Sequence, residues 1–389
     1  MLSRCPYNCP MKAGDVIVYD STLRDGEQMP GVAFSHDDKI EIATLLDDIG
    51  VPEIEAGFAA MSKGEMQTIR DISRLGLDAK ILSLARAKPG DIDCAVEAEV
   101  DMVLVFLGTS DIHRRYKYSK EVTIETLEQY TIEAIERAKD HGVKIAFSCE
   151  DGTRTPPATL MRMYALVESL GVNRIGITDT LGCITPEGIT ALVKDVKSRF
   201  KTPVSVHLHN DFGLANANAL AAVAAGADAV TTTVNGMGER CGNVPLEQFV
   251  AAMKFLYDYD MGIDTTKLTP LSRRVATLAR YQCSVNHPIT GDNAFSHESG
   301  IHVAAILNCP ATYEYIEPEA VGNVRHLKMG KHTGSHILES KLKEMGREYT
   351  RSQLNVMLEE VKRLGEARGQ VSDEDFCEIV DRVLGSKRD

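Results

Sequence analysis

Two histidines two residues apart, His207 and His209, end the apolar run VSVHLH. Alternate side chains of an extended strand point to one face, so this spacing aims two imidazoles at a single point, where they can share a metal ion. The pattern alone is weak, because two core or half-exposed histidines would look the same. Asp25 at the same rim would add a carboxylate and leave open positions for solvent or substrate, a facial set that several divalent metals accept. Asn243 offers one more oxygen. Ser148 and Glu150 obey the same spacing, so Glu150 is a candidate acid or base near the metal, with a salt bridge to Arg24 or Arg154 as the alternative. Arg24 is suited to a substrate carboxylate or a developing oxyanion, or else to ion pairing within the rim.

What could gather these residues is a repeat. An amphipathic stretch, a Gly-containing turn and a short Val/Ile-rich run recur along the chain. The apolar runs are Val16–Asp20, Glu53–Phe58, Lys80–Leu84, Met102–Leu107, Lys144–Cys149, Arg174–Thr178, Val204–His209 and Ala229–Val234. Helical spacing separates them, as at His36–Ile49, Ile124–His141, Ala158–Leu170, Pro186–Phe200 and Leu214–Ala225. Eight such units ending near Tyr259 predict a (β/α)₈ TIM barrel, of about 250 residues. An open doubly wound sheet fits less well, because the first run leads into STLRDGEQ rather than a Gly-rich phosphate loop. A barrel places its chemistry at the C-terminal strand ends, and polar residues gather there: Asp20, Arg24 and Asp25; Glu55; Ser148 and Glu150; Asp179 and Thr180; HLHND; and Asn235, Glu239 and Asn243.

Beyond the barrel, expected over residues 1–263, Pro, Gly and Asn become frequent, and residues 264–334 read as a loop-rich lid subdomain. Residues 335–389 return to helical spacing with many charges, which predicts a small C-terminal helical subdomain. With 43 Lys and Arg against 56 Asp and Glu, net charge −13, and no basic run, nucleic acid is not an expected partner. No stretch reaches the roughly 20 apolar residues of a membrane span, and the N-terminus lacks a signal-peptide apolar region, so the cytoplasm is expected. Nine scattered cysteines form no disulfide framework. The Cys5/Cys9 pair lacks a second ligand pair and reads as structural or incidental.

The motifs DSTLRDGEQ at Asp20–Gln28, SCEDGTRTP at Ser148–Pro156, HLHNDFG at His207–Gly213, GMGERCGN at Gly236–Asn243, HESGIH at His297–His302 and GKHTG at Gly330–Gly334 together resemble the acetyl-CoA-dependent 2-oxo-acid synthases. That family comprises isopropylmalate, citramalate and homocitrate synthases, and the likeness spans about residues 16 to 345. It implies a divalent metal (Zn, Mn or Mg) on Asp25, His207 and His209, with Asn243 a fourth position. It implies that Arg24 contacts the oxo acid with Thr180 close by. Arg24, Gln28, Glu55, Arg86, Ser148 and Thr180 make the expected substrate-binding set. Glu150 and His297 would be catalytic with Arg24, and His297 and Tyr313 would be delivered by the lid of the other subunit of a homodimer. Read without the family, His297, His302 and His332 are ordinary surface or core histidines.

The inventory suits that reaction. A 2-oxo acid can chelate the metal, a positioned base can take the weakly acidic methyl proton of acetyl-CoA, and a donor can stabilise the enolate. The resemblance is strongest to the short homocitrate synthases of methanogenic archaea, which act on 2-oxoglutarate. Feedback-regulated isopropylmalate synthases carry a further C-terminal domain, so leucine regulation is not expected here. Against 2-oxoglutarate, Leu84 and Ala146 stand where lysine-pathway homocitrate synthases have His and Arg for the distal carboxylate; Arg86 is the expected substitute. Without it, 2-oxoisovalerate or pyruvate is favoured, giving isopropylmalate or citramalate. A metal-dependent lyase or aldolase would use a similar His-x-His and Asp set without needing HESGIH or the long C-terminal extension.

Overall fold

The computed structural model describes residues 5–6, 8–11, 13–118 and 120–386. The apolar runs form eight parallel strands closed in sequence order: β1 (Ile17–Asp20), β2 (Glu53–Gly57), β3 (Lys80–Arg86), β4 (Met102–Gly108), β5 (Lys144–Glu150), β6 (Arg174–Asp179), β7 (Val204–Leu208) and β8 (Ala229–Thr232). Pairing of β1 with β8, from Ile17 opposite Ala229 to Asp20 opposite Thr232, closes the ring. Every residue of β2, β6, β7 and β8 is buried, as a parallel sheet covered on both faces requires. Tyr19, Leu82, Met102, Leu104, Ala146 and Ala229 fill the barrel interior. Arg174 pairs with Glu53 at 2.6 Å and lies over the Tyr19 ring, an ion pair buried on both sides.

Outside run α1 (His36–Asp48), α2 (Lys63–Ser73), α3 (Pro89–Glu97), α4 (Asp111–Tyr116), α5 (Ile124–Asp140), α6 (Pro157–Ser169), α7 (Pro186–Arg199), α8 (Ala215–Ala224), α9 (Leu246–Ala251) and α10 (Leu268–Leu278). Helix α7 shows why such a segment is helical. Thr185 caps the Gly188 N–H, Pro186 opens the first turn, and Lys197 and Arg199 face the carbonyl end. Its buried stripe Ile189, Val193 and Val196 contributes roughly 1.5–3 kcal/mol per side chain, so a charge at Val193 would break the packing. After α6 the chain reverses at Gly171, whose φ of +76° an L side chain would resist.

The chain divides into two compact units, the barrel unit Pro6–Cys283 and a second that takes in Ser284 onward. Where the sequence reading sets boundaries at 263 and 334, the units divide after Cys283, and α10 falls in the barrel unit. The second unit comprises α11 (Gly300–Asn308), α12 (Ser335–Glu344), α13 (Arg351–Arg368) and α14 (Asp373–Leu384) with short paired segments. Val303 and Met329 share one core with Ile337, Leu338, Leu342, Leu354, Met357, Phe376 and Ile379. The loop-rich stretch and the helices after it therefore pack around common apolar side chains. Among the described residues no helix is long and apolar enough to cross a membrane.

Candidate metal centre and substrate pocket

The C-terminal ends of the strands surround a cavity of ≈ 280 Å³ lined by Arg24, Asp25, Gln28, Glu55, Ser148, Glu150, Thr180, His207 and His209, with Tyr19, Leu84, Leu104 and Phe106 as its apolar wall. His207 lies on β7 and His209 one residue past its end, where it bridges to Asn243 and so ties this strand to the loop after β8. Asp25 follows β1 in a tight turn, its N–H returning to Ser21 O at 2.8 Å. Ligand atoms of Asp25, His207 and His209 all lie within 4.8 Å of one another, and all three residues are buried. Asp25 Oδ2 stands 3.5 Å from His207 Nε2.

Electrostatics keep this set in metal-binding form. Burial alone would raise the Asp25 pKa, but the Arg24 charge, with His207 and His209, outweighs it and holds the carboxyl well below its usual range. Burial first, then His207, lowers His209 to about 4, so its imidazole is neutral at ordinary pH. A carboxylate and a neutral imidazole are the protonation states a metal needs. Among the described residues, two buried polar atoms here find no partner, His209 Nδ1 and Asn243 Oδ1. The donor set of two imidazoles and a carboxylate fits a divalent cation. Asn243 turns Nδ2 to Asp25 Oδ1 at 2.7 Å, so in this arrangement the amide steadies the carboxylate, and a flip would present its free oxygen. Gly238 makes room for both, because a Cβ there, at φ +151°, would stand 2.1 Å from Asn243 Nδ2 and 2.6 Å from Asp25 Oδ1.

Arg24 is fixed by Glu55, which accepts from Nε at 2.8 Å and from Nη2 at 2.9 Å, and by Asp25, which accepts from Nη1 at 2.5 Å. Glu55 also takes the Ser21 hydroxyl, so its buried charge is fully matched. Glu150 pairs with neither Arg24 nor Arg154. Its partner is Lys117, while Arg154 holds Asp151. His113 stands 3.8 Å from Glu150. Thr180 lines the cavity and accepts the Asp151 N–H at 2.8 Å, and its carbonyl accepts from Arg240. Arg86 is outside this lining. It grips Asp91 with Nε and Nη2 and lies beside an adjoining cavity.

His297 and Tyr313 belong to the second unit and are described within it. His297 Nε2 lies 3.2 Å from buried Glu314, which Arg325 also holds, and the Tyr313 ring lies 4.0 Å from that of His302. Sequence reasoning missed Lys117, Arg240 and Glu314. Each is a charged residue on a loop or a helix end, where nothing in the one-dimensional pattern separates a site residue from a solvated one.

Residues 15–275 match the family described as HMGL-like, and residues 289–369 the one described as homocitrate synthase post-HMGL domain-like. A homocitrate synthase AksA of Methanopyrus kandleri is 46% identical over 377 residues, covering 96% of this chain and 94% of that protein. A probable 2-isopropylmalate synthase of the same organism is 48% identical over 351 residues, covering 90% of this chain and 70% of that one. A solved hydroxymethylglutaryl-CoA lyase from Pseudomonas aeruginosa superposes with TM-score 0.63 at 21% identity, over 71% of this chain and 96% of the other, a likeness of fold alone.

Proposed function

This chain belongs to the HMGL-like family, and we propose that it is an acyltransferase that condenses acetyl-CoA with 2-oxoglutarate to give homocitrate. The observation that carries the reading is the convergence of Asp25, His207 and His209 in one cavity with Arg24 and Glu150. Near-full-length similarity to a homocitrate synthase supports the choice of oxo acid.

Asp25, His207 and His209 would hold the divalent cation, with Asn243 a further oxygen donor. Two imidazoles and one carboxylate suit Zn²⁺ or Mn²⁺ better than Mg²⁺, which favours oxygen shells. When bound, the cation supplies Lewis-acid polarisation of the keto group. Arg24, pre-oriented by Glu55, keeps N–H groups free for the oxo-acid carboxylate and for the alkoxide that forms as the carbonyl is attacked. Gln28, Ser148 and Thr180 complete the polar lining around the oxo acid. Glu150 and His297 handle the protons: one removes a proton from the acetyl methyl, and the resulting enolate carbon bonds to the keto carbon. The alkoxide then takes a proton, and water cleaves the thioester to release CoA thiol. His297 and Tyr313 would come from the partner of a homodimer, working in the cytoplasm in amino-acid or related biosynthesis.

A second reading, isopropylmalate or citramalate synthesis, is favoured by the apolar Leu84 and Leu104 in the lining and by Ala146 in the barrel interior. A lyase is a weaker fit, because the similarity continues through residues 289–369 into a segment described for homocitrate synthases. The test is thiol release from acetyl-CoA with 2-oxoglutarate, 2-oxoisovalerate and pyruvate in turn, with and without chelator. Release with 2-oxoglutarate that chelator abolishes is expected; release with none of the three overturns the synthase reading.

A further inference from the structure

A second cavity, ≈ 610 Å³, opens beside the reaction pocket, and Phe106, Lys117 and Glu150 line both. Among the described residues its other charged lining groups are Arg86, Lys88 and Lys120; with Arg86 paired to Asp91 and Lys117 to Glu150, the lysines at 88 and 120 leave the lining positive on a chain whose net charge is −13. Such a local reversal of sign concentrates anions. The walls between the charges, Tyr118, Tyr130 and Val122, offer hydrocarbon as well.

Resting on the oxo-acid reading above, we propose that this annexe is an anion subsite for the distal carboxylate of a dicarboxylic 2-oxo acid, gripped by Lys117. Inside the barrel, leucine and alanine at 84 and 146 offer that carboxylate no charge. Among the described residues, three cationic side chains other than the histidines reach the reaction pocket. Arg24 is held by Glu55 and Asp25, with its remaining N–H groups at the keto-acid end, and Arg240 is held by Asp211 and the Thr180 carbonyl. Lys117 is the exception. Among the described residues its ammonium donates to Glu150 alone, over the Phe106 ring, which leaves two of its three N–H groups for a ligand. It follows α4 in the β4 loop and is about half exposed, so its stem can swing between the two cavities.

Both substrates carry anions, and reach distinguishes them. The distal carboxylate of 2-oxoglutarate is two methylenes beyond the keto carbon, within range of a side chain shared by the two cavities. The CoA phosphates stand at the far end of the pantetheine arm, many bonds from the reacting methyl. Lys88 and Lys120 would act by their field rather than by contact, while Arg86, clamped by Asp91, adds little net charge.

The test compares oxo acids within one variant, which cancels any effect of Lys117 on its partner Glu150. In Lys117→Met the ratio of kcat/KM for 2-oxoglutarate to that for 2-oxoisovalerate should fall about tenfold or more, the size of a lost charge-assisted hydrogen bond. Lys117→Arg should restore much of the ratio. Calorimetric titration of the metal-loaded protein with 2-oxoglutarate should weaken by the same factor in Lys117→Met, a readout that survives even if no oxo acid is turned over. An unchanged ratio and unchanged 2-oxoglutarate affinity overturn the proposal, as does an effect confined to the KM for acetyl-CoA, which would make the annexe a phosphate site. Failure of the synthase reading would appear separately, as no thiol release by the unmutated protein with any oxo acid.

Discussion

The Nε2 atoms of His207 and His209 stand 3.3 Å apart with their rings at 80°. Two buried ring nitrogens that close can share a proton or a cation, and the adjoining Asp25 carboxylate adds the negative charge that favours the cation.

His207→Ala and His209→Ala are each expected to lose the bound divalent metal. Elemental analysis after dialysis should fall from about one equivalent to near none, and thiol release should drop by about a thousandfold. Variants that keep a full equivalent of metal would remove these residues from the site.

Glu150→Gln separates chemistry from binding. The variant is expected to retain metal and to bind 2-oxoglutarate, while kcat falls by about 10²–10⁴, the usual worth of a positioned acid or base. A loss seen mainly in oxo-acid affinity would make Glu150 a binding residue instead.

Gly238→Ala tests the crowding around Asp25. At φ +151° a methyl group would collide with Asn243 and with the Asp25 carboxylate. The expected cost is on the order of 1–3 kcal/mol in denaturant melts, together with weakened metal binding. An alanine variant with normal metal affinity would show that the loop yields freely.

Asp20 gives a pH signature away from the metal. It is wholly buried at the end of β1, where it accepts from the Thr22 N–H and the Thr232 hydroxyl, and burial raises its pKa to about 7. Unfolded, it titrates near 3.8. Between these values the folded chain keeps a proton that the unfolded chain gives up, so stability declines as pH rises from about 4 to about 7 and then levels. Spanning three units, the decline is at most about 4 kcal/mol. Measured in chelator, the stability of the unmutated chain relative to Asp20→Asn should fall across that window; a flat difference would mean that Asp20 stays ionised in the fold.

The ring of eight strands was legible because period and burial coincide: each run is rich in apolar residues, and a helix such as α7 carries the stripe Ile189, Val193 and Val196. Boundaries were less so. Strand β5 continues to Glu150 and β7 stops at Leu208, since backbone pairing rather than side-chain polarity ends a strand. Metal candidates could be named because residue type and two-residue spacing on a strand carry directional information. Arg86 was expected at the oxo acid as the substitute for the His and Arg that Leu84 and Ala146 replace, and the Asp91 side chain that holds it becomes apparent only once α3 packs beside the strand.

The amino-acid order by itself determined the alternation of strand and helix, the rim on which polar groups collect, and which residues can ligate a cation, because these follow from local periodicity and donor chemistry. Folding decided the partners: Glu55 for Arg24, Lys117 for Glu150, Asn243 for Asp25. Closing the ring sets side chains from distant segments within a few ångströms, and which charge then meets which depends on distances in space that no spacing along the chain encodes.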